Sequence, residues 1–205
     1  MPPKVSITKD QILKAAFELV RKHGWDQLSA RNLGREIGCS TQPIYTVFLN
    51  MNELEKELIK IIQDFVLDKY LLGGGGEDKF FKIGLGYVKF AREEREFYHL
   101  LYLSGKIPLC FENDIYPVSK ELLLKRMQED PLLSTLELFQ LKRLLKNLWI
   151  YTHGITTIIY TFPDAMSDEY IFQSIYSMGG IAISWEFMEG HKHPEEIIEV
   201  KGGLL

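Results

Sequence analysis

The stretch "SARNLGREIGCSTQPIYTVF", residues 29–48, decides the fold, because it contains two brief helical patterns separated by a glycine, a cysteine and a serine. Ser29 is a favourable N-cap for the first pattern, and Leu33 and Ile37 follow at helical spacing. Gly38 stands where a helix of barely two turns should end. Two short helices joined by a three-residue turn that contains a glycine are typical of a helix-turn-helix.

The second pattern is a short helix with an apolar side and a polar side. We predict that Ser40 caps it and that Pro43 lies in its first turn, where the missing N–H does little harm. The apolar side contains Ile44, Val47 and Phe48, and the polar side contains Thr41, Gln42, Tyr45 and Thr46. Threonine and glutamine bond base edges, tyrosine reaches phosphates, and free N–H groups at a helix start attract phosphate oxygens. The pattern predicts a helix for the major groove of DNA, and a plain helical hairpin with solvated polar residues remains the alternative.

The same capping signals mark helices on both sides of this stretch. Thr8 with Gln11 predicts the start of a first helix that ends before Gly24. Asn50 with Glu53 predicts the start of a fourth helix of about 20 residues. The opening stretch therefore supplies the second and third of four consecutive predicted helices.

The remaining chain is also helical in pattern. The glycine run at 73–76 predicts a turn, because each glycine costs about 1 kcal/mol relative to alanine in a helix interior. Helical segments are predicted at 78–93, 94–105, 113–129, 134–161 and 168–189. No strand pattern is found, so the predicted fold class is all-α.

Composition and charge restrict the class of protein. The chain has 205 residues, 46% of them hydrophobic, which is enough for a packed core. Residues 1–50 contain seven Lys/Arg and four Asp/Glu and are net +3, whereas residues 51–205 are net −7. A basic N-terminal segment suits an anionic partner, with chance asymmetry as the alternative.

The sequence also argues against a membrane protein, a disulfide-bonded protein, an enzyme and a metal-binding protein. The longest stretch without a formal charge, 147–163, is too short and polar to span a membrane, and the N-terminus lacks an apolar signal core, so a cytoplasmic location is expected. Cys39 and Cys110 are expected to stay reduced, as buried small residues. No catalytic signature occurs, and His191 with His193 lack the further ligands of a zinc site. We therefore expect no enzyme, no metal and no cofactor.

Residues 8–59 resemble the N-terminal domain of TetR-family transcriptional regulators over about a quarter of the chain. The shared residues are Ala15 and Ala16, Gly24, Ser29, Gly38 with Ser40, and Tyr45 with Phe48. The resemblance implies a three-helix helix-turn-helix DNA-binding domain over 1–50, with the start of helix four to about 59. It also implies a larger helical effector-binding and dimerisation domain over 51–205.

The resemblance also implies which residues face DNA. The implied set is Arg31, Ser40, Thr41, Gln42, Pro43, Tyr45 and Thr46, and Asn50 is a further candidate. Ser40 would support the start of the helix, and capping competes with DNA contact at Asn50. The chain departs from the family pattern at Met51, where relatives carry a lysine that touches a phosphate.

The C-terminal helices are implied to form a homodimer interface and an inducer cavity. The dimer helices are those near 134–161 and 168–189, where Gly154, Gly179 and Gly180 either allow close approach or mark kinks. An inducer cavity is apolar with few polar groups. Its candidates are Tyr98, Tyr102, Phe111, Tyr116, Trp149, His153 and Tyr176, each of which is also a plausible core residue.

The resemblance implies a bacterial one-component regulator. We expect a repressor that binds a pseudo-palindromic operator as a dimer and is released by a small, largely apolar inducer. Two alternatives stay open: a ligand-independent member controlled by a protein partner, and a helical scaffold or small-molecule carrier that no longer reads DNA.

Overall fold

The computed structural model describes residues 7–73, 78–110 and 115–188. Over these ranges nine α-helices and no strand are present. The helices are α1 Lys9–His23, α2 Ala30–Ile37, α3 Gln42–Val47, α4 Met51–Val66, α5 Lys79–Glu93, α6 Arg95–Tyr98, α7 Lys120–Gln128, α8 Leu138–Thr161 and α9 Asp168–Met188. The predicted all-α class is confirmed.

The predicted caps of the N-terminal helices are present. The Thr8 hydroxyl accepts the backbone N–H of Gln11, whose side chain in turn accepts the N–H of Thr8. The Ser29 hydroxyl likewise accepts the N–H of Asn32 at the start of α2. Because a cap satisfies backbone donors that the helix leaves open, these side chains fix where α1 and α2 begin.

Two helices continue into π-helical turns. Residues Leu67–Leu71 extend α4, so the combined element has the predicted length, and residues His99–Leu103 extend α6. The first turn lies against α5 at Gly86, where a Cβ atom would stand 1.9 Å from the carbonyl oxygen of Tyr70. Only glycine permits this approach of the two backbones.

Two predicted segments begin later than the pattern indicated. The segment predicted from 113 is helical only from Lys120, because an antiparallel bridge between Cys110 and Ile115 and then Pro117 occupy its start. The segment predicted from 134 is helical from Leu138. The cysteines also differ from expectation, since Cys39 and Cys110 are free but only half-buried.

The chain divides into two compact units. Unit 1 contains residues 1–73 and 86–120, and unit 2 contains residues 74–85 and 121–205. Unit 1 has its core between α1, α2, α4 and the second half of α5, and unit 2 has its core between α8 and α9. The functional boundary near residue 50 stays a prediction.

Candidate nucleic-acid interface

The N-terminal helices of unit 1 pack around one apolar centre behind α3. Ile44 and Phe48, on one side of α3, are each only 1% exposed. The centre is completed by residues of α1, α2 and α4: Ile12, Ala16, Val20, Leu33, Leu54 and Leu58. The opposite side of α3 is left facing solvent.

A tight turn joins α2 to α3. Gly38 has a left-handed backbone, φ +78° and ψ +32°, which ends α2 as predicted. The N–H of Cys39 then donates to the carbonyl oxygen of Gly34 at 2.8 Å. A Cβ atom at Gly34 would stand 2.9 Å from the Cys39 carbonyl oxygen, so the absence of a side chain there lets the turn lie close against α2.

Most of the predicted DNA-facing residues face solvent. Seven of them are exposed, namely Arg31, Ser40, Thr41, Gln42, Tyr45, Thr46 and Asn50, and Pro43 is half-buried. Tyr45 is 49% exposed, so about half of its side chain is available to a partner. The arrangement has the form of a helix-turn-helix with a polar outer face.

The start of α3 differs from the prediction. The helix begins at Gln42, and the residue at the N-cap position is Thr41, which makes no side-chain capping bond. Thr41 already has helical backbone angles, φ −72° and ψ −17°, whereas a capping side chain requires an extended backbone. The first helical bond of α3 runs from the N–H of Tyr45 to the carbonyl oxygen of Thr41 at 3.3 Å, so Ser40 is not the N-cap, and it is exposed.

The link from α3 to α4 is closed by two side chains. The amide oxygen of Asn50 accepts the N–H of Glu53 at 3.0 Å, and the Glu53 carboxylate accepts the N–H of Leu49 at 2.7 Å. Asn50 is thus the N-cap of α4, the role that competes with DNA contact. Met51, the first residue of α4, is half-buried.

An ion cluster that the sequence did not indicate anchors α1 within unit 1. The Glu94 carboxylate, 1% exposed, lies at the junction of α5 and α6. It accepts two bonds from the Arg21 guanidinium, at 2.6 and 2.7 Å, and one from Lys69 Nζ at 3.2 Å. The Tyr70 hydroxyl lies 3.0 Å from the same carboxylate. The cluster joins the last turn of α1, the π-helical turn after α4 and the start of α6.

The bonds to Glu94 decide its charge. Burial, the largest single influence, disfavours the ionised carboxylate, but the bonds from Arg21, Tyr70 and Lys69 together outweigh it. The pKa of Glu94 is consequently held below its usual value. The carboxylate stays ionised at neutral pH.

An aromatic contact reinforces this anchor. The Phe97 ring of α6 lies 4.8 Å from the ring of Phe17 in α1 and 6.1 Å from that of Phe65 in α4, centroid to centroid. The position of α1 in unit 1 is therefore set by both an ion cluster and a ring cluster.

The inducer candidates of unit 1 are packed side chains. Tyr98 is fully buried, and Tyr102 is half-buried with its ring centroid 5.5 Å from that of Tyr98. Both rings belong to a cluster with Tyr87 and Phe90. Tyr116 is half-buried. Phe111 lies outside the described residues.

The candidates of unit 2 form two separate ring stacks. The rings of Trp149 and His153 stack at 4.5 Å in α8, and burial lowers the pKa of His153. The ring of Tyr176 in α9 stacks on Phe81 at 4.2 Å and on Phe172 at 4.3 Å. The structure thus pairs Trp149 with His153 but gives Tyr176 other neighbours.

A buried ion pair connects α8 to α9. The Arg143 guanidinium donates to both carboxylate oxygens of Glu186, at 2.7 and 2.6 Å, and the Glu186 side chain is 1% exposed. The same guanidinium lies 4.5 Å from the ring centroid of Trp185. Because a bidentate pair has a fixed geometry, it sets the register of the two helices.

Both α8 and α9 leave large apolar side chains exposed. They include Ile150, Ile158, Phe172, Met178, Ile181 and Phe187. Gly154 and Gly180 have open space beside them, whereas a Cβ atom at Gly179 would stand 2.4 Å from the Phe81 ring. Gly179 therefore serves a contact inside unit 2, and of these three glycines only Gly154 and Gly180 have open space beside them.

Comparisons with known proteins connect this architecture to one fold. No protein-family model and no curated protein sequence matches the chain. Among solved structures, a single-residue variant of TetR from Acinetobacter baumannii AYE in complex with minocycline matches with a TM-score of 0.56 and 15% identity. The match covers 88% of this chain and 97% of that chain. The chain has a TetR-like fold.

The described residues contain neither a membrane-spanning helix nor a cluster of metal ligands. Over residues 7–73, 78–110 and 115–188 no helix has the length and apolar character needed to cross a membrane. The same ranges hold no group of three or more metal-ligating side chains. His191 and His193 lie beyond the described part of the chain.

Replacement of Glu94 by glutamine should lower the free energy of unfolding at pH 7 by about 1.5–3 kcal/mol, the range for hydrogen bonds to charged groups. The folded-state pKa of Glu94 is depressed, so its stabilisation is present above the unfolded pKa and is lost as pH falls through the folded pKa. The difference between parent and Glu94→Gln should therefore shrink below about pH 4.5. Urea unfolding of both proteins at a series of pH values measures this difference in the free energy of unfolding. A difference that does not change with pH would contradict the assignment of Glu94 as an ionised carboxylate in the folded state.

Proposed function

We propose that the chain is a bacterial, cytoplasmic one-component transcriptional regulator that binds duplex DNA through α3. The observation that carries the proposal is the exposed polar side of α3, held outward by the buried Ile44 and Phe48 in a TetR-like fold. A helix-turn-helix places such a side in the major groove, where side chains meet base edges. The net charge of +3 over residues 1–50 favours the approach to phosphates.

The proposed DNA-bound form is a homodimer that joins through α8 and α9. The many large aliphatic and aromatic side chains that these two helices leave exposed support this, since exposed apolar surface of this extent favours association. Gly154 and Gly180 leave room for the backbone of a partner helix. A two-fold axis would present two copies of α3 about 34–36 Å apart, which matches one turn of a pseudo-palindromic operator.

The proposed mode of control is release by a small, largely apolar molecule that binds the helical part of the chain. The neighbour in structure was solved in complex with minocycline, which supports ligand binding by proteins of this fold. A ligand changes DNA binding only if it binds two conformers with different affinity. The proposed inducer would favour a conformer in which the N-terminal helices α1–α3 of the two subunits no longer match the spacing of the operator half-sites. Repression follows if the operator overlaps a promoter.

Tyr45→Ala should weaken binding to a selected operator duplex by about tenfold, because one net hydrogen bond to phosphate and its ring contact are lost. Tyr45 is exposed, so the fold should be unchanged. Fluorescence anisotropy measures the affinity, and circular dichroism checks the helix content. Tyr45→Phe is the matched control and separates the hydroxyl from the ring. If both variants bound the duplex with the affinity of the parent protein, Tyr45 would not be part of the DNA interface.

Met51→Lys should strengthen duplex binding and make it more sensitive to salt. A lysine at the start of α4 adds one phosphate contact, so the slope of log affinity against log salt should become steeper by about 0.9. Gln128→Lys, an exposed position at the end of α7, changes the net charge equally and should leave the slope unchanged. Equal slopes for the two variants would mean that the start of α4 does not reach DNA.

Ile181→Glu should convert the dimer to monomer at micromolar concentration. Ile181 is 63% exposed on α9, so in the monomer a carboxylate there is solvated, whereas in the proposed interface it is buried without a partner. Leu132→Glu, at a 54% exposed leucine outside α8 and α9, is the control. Analytical ultracentrifugation gives the mass. A dimer in both variants would place the interface elsewhere.

A further inference from the structure

The outer side of α3 has a chemical character that restricts which base pairs it reads. From Glu36 to Glu55 the chain has no lysine and no arginine. We infer that the base pairs facing α3 in each operator half-site are A·T pairs, with Gln42 on an adenine and the Thr46 methyl group on a thymine methyl. This inference rests on the proposed function, and it assigns a base class that the fold alone leaves open.

The outer side of α3 has none of the side chains that most often bind guanine. The commonest specific contact to guanine is a bidentate bond from arginine or lysine to O6 and N7. The nearest cations before α3, Arg31 and Arg35, belong to α2, the helix that crosses the DNA backbone in a helix-turn-helix. Arg35 shares a surface depression with Leu19 and His23 of α1, which places it on the side of α2 that meets α1.

Gln42 has the functional groups that match adenine. Its side-chain amide offers one donor and one acceptor, the complement of N7 and the N6 amino group on the major-groove edge of adenine. It is the first residue of α3 and is exposed. No described residue bonds this amide, so both groups are available to a base.

The hydroxyl of the exposed Thr46 is occupied by its own helix. It donates to the carbonyl oxygen of Gln42 at 2.9 Å, one helical turn earlier. The γ-methyl group is therefore the part of this side chain that remains for a base, and a threonine methyl is a recognised apolar contact for the thymine methyl. Gln42 and Thr46 are four residues apart, about 6 Å along the axis, so they meet base pairs one or two steps apart.

The experiment begins with selection of bound sequences from a random duplex pool by the full chain. The expected product is a pseudo-palindrome, and binding of Gln42→Ala to single-base variants of it identifies the pair that Gln42 reads. That pair and its neighbours should be A·T. Gln42→Arg should then move the preference at the identified pair from A·T to G·C.

The thymine contact is tested by replacing each thymine of the selected site with uracil, which removes only the 5-methyl group. One uracil near the identified pair should weaken parental binding about fourfold, the effect of one buried methyl group at about 0.8 kcal/mol. Thr46→Ser keeps the hydroxyl and removes the methyl, so it should bind the thymine and uracil duplexes equally. Thr161→Ser, at an α8 threonine whose hydroxyl donates to its own i−4 carbonyl oxygen, is the matched control and should retain the difference.

The outcomes separate the two proposals. A selected site with G·C at the pair read by Gln42 would overturn the base assignment and leave DNA binding intact. Equal loss on uracil substitution for parent and Thr46→Ser would overturn the threonine contact. Failure to select any sequence, with only weak binding that salt removes, would overturn the proposed function and the base assignment together.

Discussion

The burial of Ile44 and Phe48 is the constraint on which the proposed interface depends. A helix of six residues is far too short to be stable alone, because nucleation is costly and isolated helices below about 12–15 residues are marginal. α3 exists because one of its sides completes the apolar centre formed by α1, α2 and α4. The same packing forces Gln42, Tyr45 and Thr46 outward. Stability and the proposed recognition of DNA thus use opposite sides of one short helix.

The cluster around Glu94 has a second role in this arrangement. The bonds from Arg21 to Glu94 tie the end of α1 to the start of α6. Because the carboxylate is buried, a movement that separates the pair would leave an ionised group without its partner, which costs several kcal/mol. The pair therefore resists any separation of the end of α1 from the start of α6.

Local rules in the sequence predicted most of the helices but not the contacts between distant segments. Thr8, Ser29 and Asn50 cap helices at the predicted positions, since capping depends on residues three or four apart. The predicted cap at Ser40 is wrong because the carbonyl oxygen of Thr41 accepts the first helical bond of α3, one residue later than the local pattern indicates. Glu94 lies in the run "AREERE", where nothing in the pattern distinguishes a buried carboxylate from its solvated neighbours. Its role depends on residues up to 73 positions away.

The most direct measurement is a hydroxyl-radical footprint of the full chain on a selected duplex at low salt. If the outer sides of two α3 helices enter the major groove, two protected patches should appear on each strand, with centres about one turn, 34–36 Å, apart. Replacement of Tyr45 should weaken both patches together. A uniform, sequence-independent protection, or none at all, would contradict the assignment of α3 as the DNA-reading helix.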